Sequence, residues 1–368
     1  MDPNTRKETK KKKYTTVGIV FAILGLLLFA YFVCKAGVWE ISGGIRRLGF
    51  AFLLIFILGG VRQAAHSVAW INCFEPPYRL RFIDAFKARL MGEALGNMLP
   101  LGGIVVAEPS KAVFARDRVP LMAGASALAI ENIFYALSVA LFISSGALAL
   151  LLSFPLPRPL WYVSISALIA VVVMVPVGFL VIRKQWKFLS GAFGFVGNRG
   201  IAGQSISHAL PRVRTLEDRI YGFYQRNRSR FLIILLVEMC FHVAGVAEGY
   251  LTLSFVSNTI APTLLTAFIL ESVNRVINLV FKFIPLRTGV DEAGTGMLSK
   301  VLGFTTATGV TLAIVRKARD VCWTAVGVAL MVRRGISLRA AARESEEGVE
   351  EIHSTEDALA TMAAGESH

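Results

Sequence analysis

Charged side chains recur in this chain inside stretches that are otherwise apolar. Arg62 and His66 stand one helical turn apart within Leu48–Phe74, and Glu131-Asn132 interrupts Leu121–Leu152. Glu238, His242 and Glu248 lie within Phe231–Val256, and Glu271, Asn274, Arg275 and Asn278 follow in Thr263–Phe283. Glu93, Asn97, Glu108 and Lys111 flank one proline–glycine break, and Arg287, Asp291 and Glu292 come just after another. Arg316, Lys317, Arg319 and Asp320 sit in the last apolar stretch. An ionisable side chain at the bilayer centre costs about 2.5–3.5 kcal/mol on insertion scales, so packing alone is a poor account of so many. A water-filled polar cavity is the economical one. Arg62, Lys111, Arg287 and Arg316 would carry positive charge into it, and guanidinium groups fork onto phosphate oxygens. Glu108, Glu131 and Glu292 would balance those charges or titrate, with Asn97 and Asp291 completing the candidate binding set. The chemistry fits an anionic headgroup better than a bare cation, and a soluble anion stays open.

Single positions also have plain structural readings. Arg62 and His66 can pair with Glu131 or Glu238. Glu108 can cap a short helix beginning near Pro109, where free backbone amides accept a carboxylate. Asp320 lies four residues after Arg316, the spacing of an intrahelical ion pair.

The elements that must position these groups are membrane helices. Hydrophobic residues make up 55% of the 368, mean hydropathy is +0.60, and several runs reach the roughly 20 apolar residues that cross a bilayer. The expected fold is all-α: a polytopic bundle of about six spanning helices plus two re-entrant hairpins. The spans are placed at about Thr16–Gly37, Leu48–Phe74, Leu121–Leu152, Leu160–Ile182, Phe231–Val256 and Thr305–Val332. Two segments carry matching interruptions. Gly96-Asn97-Met98-Leu99-Pro100-Leu101-Gly102-Gly103, followed by Glu108, is echoed by Lys282-Phe283-Ile284-Pro285-Leu286-Arg287-Thr288-Gly289, followed by Glu292. Pro100, Gly102, Gly103, Pro285 and Gly289 are the expected hairpin breaks. Half-helix amino termini beyond them would aim partial positive charge inward.

Charge sets the orientation. Six basic residues between Arg6 and Lys13 place the amino terminus in the cytoplasm, and Arg79, Arg81, Lys87 and Arg89 mark the return of the second span. If Thr263–Phe283 crossed fully, Arg333, Arg334, Arg339 and Arg343 would lie outside, against the positive-inside rule. A second hairpin, entering from outside, returns the carboxyl terminus to the cytoplasm. The result is an inverted repeat, about 48–152 against about 231–332, within a membrane domain of residues 16–333. Residues 1–15 form a basic cytoplasmic terminus. Residues 183–230, with ten basic residues, form an amphipathic cytoplasmic segment, and 334–368 an acidic tail expected to be disordered. The expected location is the cell (inner) membrane, multi-pass, with both termini cytoplasmic.

The net charge of +14 gathers beside apolar runs, so it answers to topology and anionic lipid rather than nucleic acid. The four cysteines show no zinc or disulfide spacing, and no nucleotide-binding P-loop is present. No cofactor or metal is expected, and the chain is not expected to be an enzyme.

Gly96 to Pro100, Glu108-Pro109-Ser110-Lys111 and Ala129-Ile130-Glu131 resemble the first-half pattern of the lysylphosphatidylglycerol synthase transmembrane-region family. Ile284-Pro285-Leu286-Arg287-Thr288-Gly289-Val290-Asp291-Glu292, with Arg316 beyond, is similar to its second-half pattern. The resemblance covers roughly residues 16–333 and implies a flippase-like protein that moves or handles aminoacylated phospholipids, glycolipids or isoprenoid lipids. Ala107 stands where the family has a glycine, and Asn132 where an arginine is common, which puts a Glu-Arg pair after Ile130 in doubt. The 25 residues after Arg343 do not resemble the soluble aminoacyl-transferase domain of some relatives, so lysyl-lipid synthesis is not expected. The reading is a translocator of an anionic phospholipid, glycolipid or polyprenyl-phosphate headgroup. The alternative is a non-transporting scaffold or accessory subunit for a lipid- or glycan-modifying enzyme, such as a glycosyltransferase. A membrane glycosyltransferase is the weaker third reading, because Glu40 is the one acid in the expected outer loops.

Overall fold

The structure is a computed structural model and describes residues 38–98, 102–156, 226–281 and 287–335, with single residues outside these segments. The expected spans Thr16–Gly37 and Leu160–Ile182, the breaks at Pro100 and Pro285, most of 183–230 and most of the tail lie outside the described residues. The described elements are helices: α1 (Val38–Leu48), α2 (Ala51–Asn72), α3 (Phe82–Met98), α4 (Gly102–Phe114), α5 (Leu121–Ser153), α6 (Arg228–Val256), α7 (Leu264–Val280), α8 (Val290–Val301) and α9 (Thr306–Arg333).

Local sequence explains most boundaries. Thr263 and Thr305 each accept a hydrogen bond from the backbone N–H three residues on, at 3.1 Å, and so start α7 and α9. Between α7 and α8 the chain reverses through Arg287 (φ 50°) and Gly289 (φ 85°). Only glycine takes that backbone freely, so Arg287 holds a strained conformation at the candidate site. Two expectations fail here. Pro109 lies inside α4, which already begins at Gly102, so Glu108 is not its cap. Val38–Leu48, expected as loop, is a helix, ended by Gly49 at φ 42°.

Among the described residues, three helices are long and apolar enough to cross a membrane: α2, α5 and Ser229–Val256 of α6. This is a membrane protein. Helix α9 has 28 residues, length enough for a span, but Arg316, Lys317, Arg319 and Asp320 break its apolar character. Helix α7, at 17 residues, reaches about 26 Å, short of the roughly 30 Å hydrocarbon core. The outer faces of the spans are apolar, with Leu53, Leu54 and Ile57 of α2 and Leu232, Ile233 and Leu236 of α6 exposed.

Helix α2 packs most extensively on α6, α3 on α4 and α9, and α7 on α5, α6 and α8, while α8 lies on α9. One apolar core joins Trp70, Met91, Leu95, Phe114, Phe134 and Ile234. A second joins Leu150, Leu253, Ile269, Leu298, Phe304 and Leu312. Since lipid tails are as apolar as these side chains, close packing holds the cores together more than escape from water does. Glycines set the tightest crossings. A Cβ on Gly327 of α9 would collide with the Leu90 carbonyl oxygen of α3, and one on Gly146 of α5 with the Ser272 side chain of α7.

Contacts between loops order the two ends of the bundle. At one end Arg226 bonds Glu75 (2.9 Å), Arg230 donates to the Phe74 carbonyl (3.1 Å) and Arg118 pairs with Asp84 (3.6 Å). Arg334, beyond α9, donates to the Phe114 carbonyl there at 2.9 Å. At the other end Arg47 bonds Asn258, and Gly303 lies against Ile260.

Candidate functional site

Between the two apolar cores the bundle holds a cavity of about 720 Å³ lined by residues of α2 through α9. Seven of the nine residues expected from sequence line it: Arg62, Asn97, Glu108, Lys111, Arg287, Asp291 and Arg316. Glu131 and Glu292 stand behind the wall. Glu131 is fully buried among α2, α3 and α6 side chains. Glu292 accepts from the Gly289 backbone N–H at 2.8 Å and bonds Lys317, so it caps its own helix. That cap also occupies the α8 amino terminus, which was expected to face the cavity with free amides.

The polar interior divides into two clusters. In the basic one, Glu271 is the hub. It bonds Arg275 one turn along α7, Arg316 of α9 at 2.8 Å, and lies 3.8 Å from Arg62 of α2. Glu248 of α6 takes Arg62 at 3.1 Å and also Arg319. Asp320 pairs with Arg319 at 2.6 Å and Arg287 at 3.5 Å, not with Arg316 as the spacing suggested, because Arg316 turns to Glu271. Five guanidinium groups thus share three carboxylates. Within the cluster Arg316 Nε and Nη1, Arg275 Nε and Arg287 Nε are buried without a hydrogen-bond partner among the described residues.

The acidic cluster is built on His66 of α2, whose Nδ1 lies 3.1 Å from Glu131 Oε1 and 3.1 Å from Glu238 Oε2. Arg89 of α3 reaches Glu131 at 3.2 Å and Glu93 at 3.4 Å, and Gln63 donates to Glu93. Arg89 was expected at the cytoplasmic edge, but it is buried and lines the cavity. A basic residue about two turns inside a helix looks, in sequence, like one at its end. The Phe241 ring separates the two clusters: Arg62 lies 4.4 Å and Arg275 4.8 Å over it, and the His66 ring is 4.2 Å away. Lys111 bonds Glu108 at 2.8 Å, and Asn132 donates to the same carboxylate at 3.2 Å.

Residues 16–327 match the family described as Lysylphosphatidylglycerol synthase TM region. The chain belongs to this family. No curated protein and no solved structure matches it. In this family member the departure at Asn132 has a visible counterpart: the positive charge on Glu131 comes from Arg89 of α3, and Asn132 turns to Glu108. Sequence reasoning left Arg89, His66, Arg275 and Arg319 out of the binding set, although all four line the cavity. For His66, Arg275 and Arg319 the signal was the one used for Arg62, a charge inside an apolar run, whereas Arg89 stands in a basic cluster with Lys87 and carried no such signal.

The lining is asymmetric in charge. Arg62, Arg89, Lys111, Arg275, Arg287, Arg316 and Arg319 face the cavity, against the carboxylates of Glu93, Glu108, Asp291 and Asp320. The acids that hold the arginines, Glu131, Glu248 and Glu271, are fully buried behind them. Such a wall suits an anion with several oxygens by its chemistry, since guanidinium N–H groups make strong charge-assisted bonds.

Proposed function

We propose that the protein is a flippase-like translocator that moves an anionic lipid headgroup through this cavity while the tails stay in the bilayer. The observation that carries the reading is the excess of cations on the cavity wall, where seven basic side chains face four carboxylates and Glu131, Glu248 and Glu271 lie buried behind. A cavity built only for structural ion pairs would have no reason to leave guanidinium donors unpartnered. The test is reconstitution into phosphatidylcholine vesicles with a panel of fluorescent phospholipids and polyprenyl phosphates. The expected result is protein-dependent movement of anionic members between leaflets. No movement of any lipid in the panel would leave the scaffold or accessory-subunit reading in its place.

The architecture proposed for this activity is an inverted repeat in the inner membrane, α2–α5 against α6–α9, with hairpins α3–α4 and α7–α8 opening to opposite sides. Exchanging α2 with α6, α3 with α7, α4 with α8 and α5 with α9 maps the helix contacts onto one another. Support also comes from the glycine crossings of α9 on α3 and α5 on α7, and from one ion pair per half in opposite senses. Arg89–Glu131 ties α3 to α5, and Glu271–Arg316 ties α7 to α9. Opposed broken helices around one site are the frame of alternating access. Single cysteines at Asn258 and Arg333, in a background without native cysteines, are expected to label from opposite sides, Arg333 from the cytoplasm. Labelling of both from one side would remove the repeat.

A further inference from the structure

His66, Glu131 and Glu238 form a second, deeper group that headgroup recognition does not use. Each is at least nine-tenths buried, two of them are acids, and the ligand atoms of all three lie within 4.8 Å of one another. Charges facing the trio come from α3 as Arg89 and Glu93, and the buried titratable ring of His242 faces it from α6. The Tyr135 ring of α5 stands 4.9 Å from His66. The Cys73 thiol and the Glu108–Lys111 pair are within electrostatic reach of Glu131.

Two properties single out this group. One cation, Arg89, touches its carboxylates directly, so with a neutral imidazole the trio keeps an excess negative charge at membrane depth. An uncompensated buried charge is strongly disfavoured, and a proton shared across the 3.1 Å contacts removes it. In addition, Glu131 Oε2 and Glu238 Oε2 are buried without a hydrogen-bond partner of good geometry, so the cluster has acceptor capacity to spare. A divalent metal fits less well, because Glu131 Oε1 is already engaged by Arg89. His66 and Arg89 line the cavity, whereas Glu131 and Glu238 do not. The group therefore meets the cavity through one titratable ring and one arginine.

We propose that His66, Glu131 and Glu238 are a proton-coupling site, loaded when an anionic phosphodiester in the cavity draws Arg89 away from Glu131. This rests on the translocator reading and gives it a driving ion. The step is a proton transfer from water to the trio. The proton is held by the imidazole or a carboxylate, and its positive charge replaces that of Arg89. By linkage, proton uptake on anion binding requires that lower pH tighten anion binding by the same coupling.

The experiment uses the full chain in detergent at weakly buffered pH 7, with binding followed by calorimetry and proton exchange by a pH dye. The probes are short-chain phosphatidylglycerol and, as the soluble source of the same diester, glycerophosphoglycerol; neither titrates near neutrality. The expected result is about one proton taken up per anion bound, with uptake from the lipid alone marking the lipid as ligand. Glu238→Gln, which is behind the cavity wall, should bind the anion but lose the uptake. Glu238→Met, uncharged and of similar size at the same position behind the wall, is the second variant if Glu238→Gln does not fold. Anion binding by the wild type without proton exchange overturns the coupling site and leaves the translocator reading standing. Absence of binding by either diester, visible in the calorimetry alone, removes both.

Discussion

Glu271→Ala is expected to destabilise the protein by about 3–5 kcal/mol, the range seen when one partner of a buried ion pair is removed. Glu271 is fully buried and is the common partner of Arg275, Arg316 and Arg62, so its loss strands Arg275 and Arg316 and leaves Arg62 to Glu248 alone. Three helices, α2, α7 and α9, meet at this carboxylate. The check is the thermal midpoint of the purified protein in detergent, where a fall of about 4–7 °C follows from that cost. A second substitution that removes one stranded charge, Arg275→Met, should recover part of the loss. A Glu271→Ala midpoint close to that of the wild type would mean that the arginines find water or lipid phosphate instead, and that the hub is not structural.

Arg287→Ala is expected to reduce transport far more than it reduces stability. Its side chain is 26% exposed and its ion pair with Asp320 is 3.5 Å long, so folding depends on it little. A phosphate deprived of one charge-assisted hydrogen bond loses about 1.5–3 kcal/mol, which is roughly ten- to hundred-fold in binding. Lys111→Ala should behave differently, because Lys111 is 2% exposed and committed to Glu108; stability should fall along with transport. Arg118→Ala, an exposed residue at the end of the bundle, is the control. Measured in the vesicle assay, transport by Arg287→Ala at the wild-type rate would remove the strained α7–α8 turn from the binding site.

The comparison of sequence with structure shows where membrane sequences speak clearly. That α7 and α8 are separate helices was legible because Gly289 acts on the backbone locally, whatever surrounds it. The lengths of α5, α6 and α9 followed from uninterrupted helical composition. The pairing of charges was not legible. Asp320 has Arg316 at ideal spacing, yet it bonds its neighbour Arg319 and, across the site, Arg287. Intrahelical spacing offers about 0.2–0.5 kcal/mol, less than a buried acid gains from the right partner on another helix. Glu108 was misread for a related reason: Pro109 cannot donate a backbone hydrogen bond, but in α4 the free carbonyl is tolerated and the helix runs on. Val38–Leu48 was missed because a short helix between spans carries no run of apolar residues long enough to register.

Phe241 has a consequence of a different kind. On one side of its ring Glu131 and Glu238 gather about His66, and on the other five guanidinium groups share three acids. Opposite charges so close would ordinarily collapse into salt bridges and cancel. The ring is apolar at its edge and electron-rich on its faces, so it holds the arginines by their planes while denying them a path to His66 and its carboxylates. The protein is thereby polarised internally, like a charged capacitor whose dielectric is one side chain thick. On the translocator reading proposed above, an entering headgroup would meet a field across the cavity before it touched any single residue.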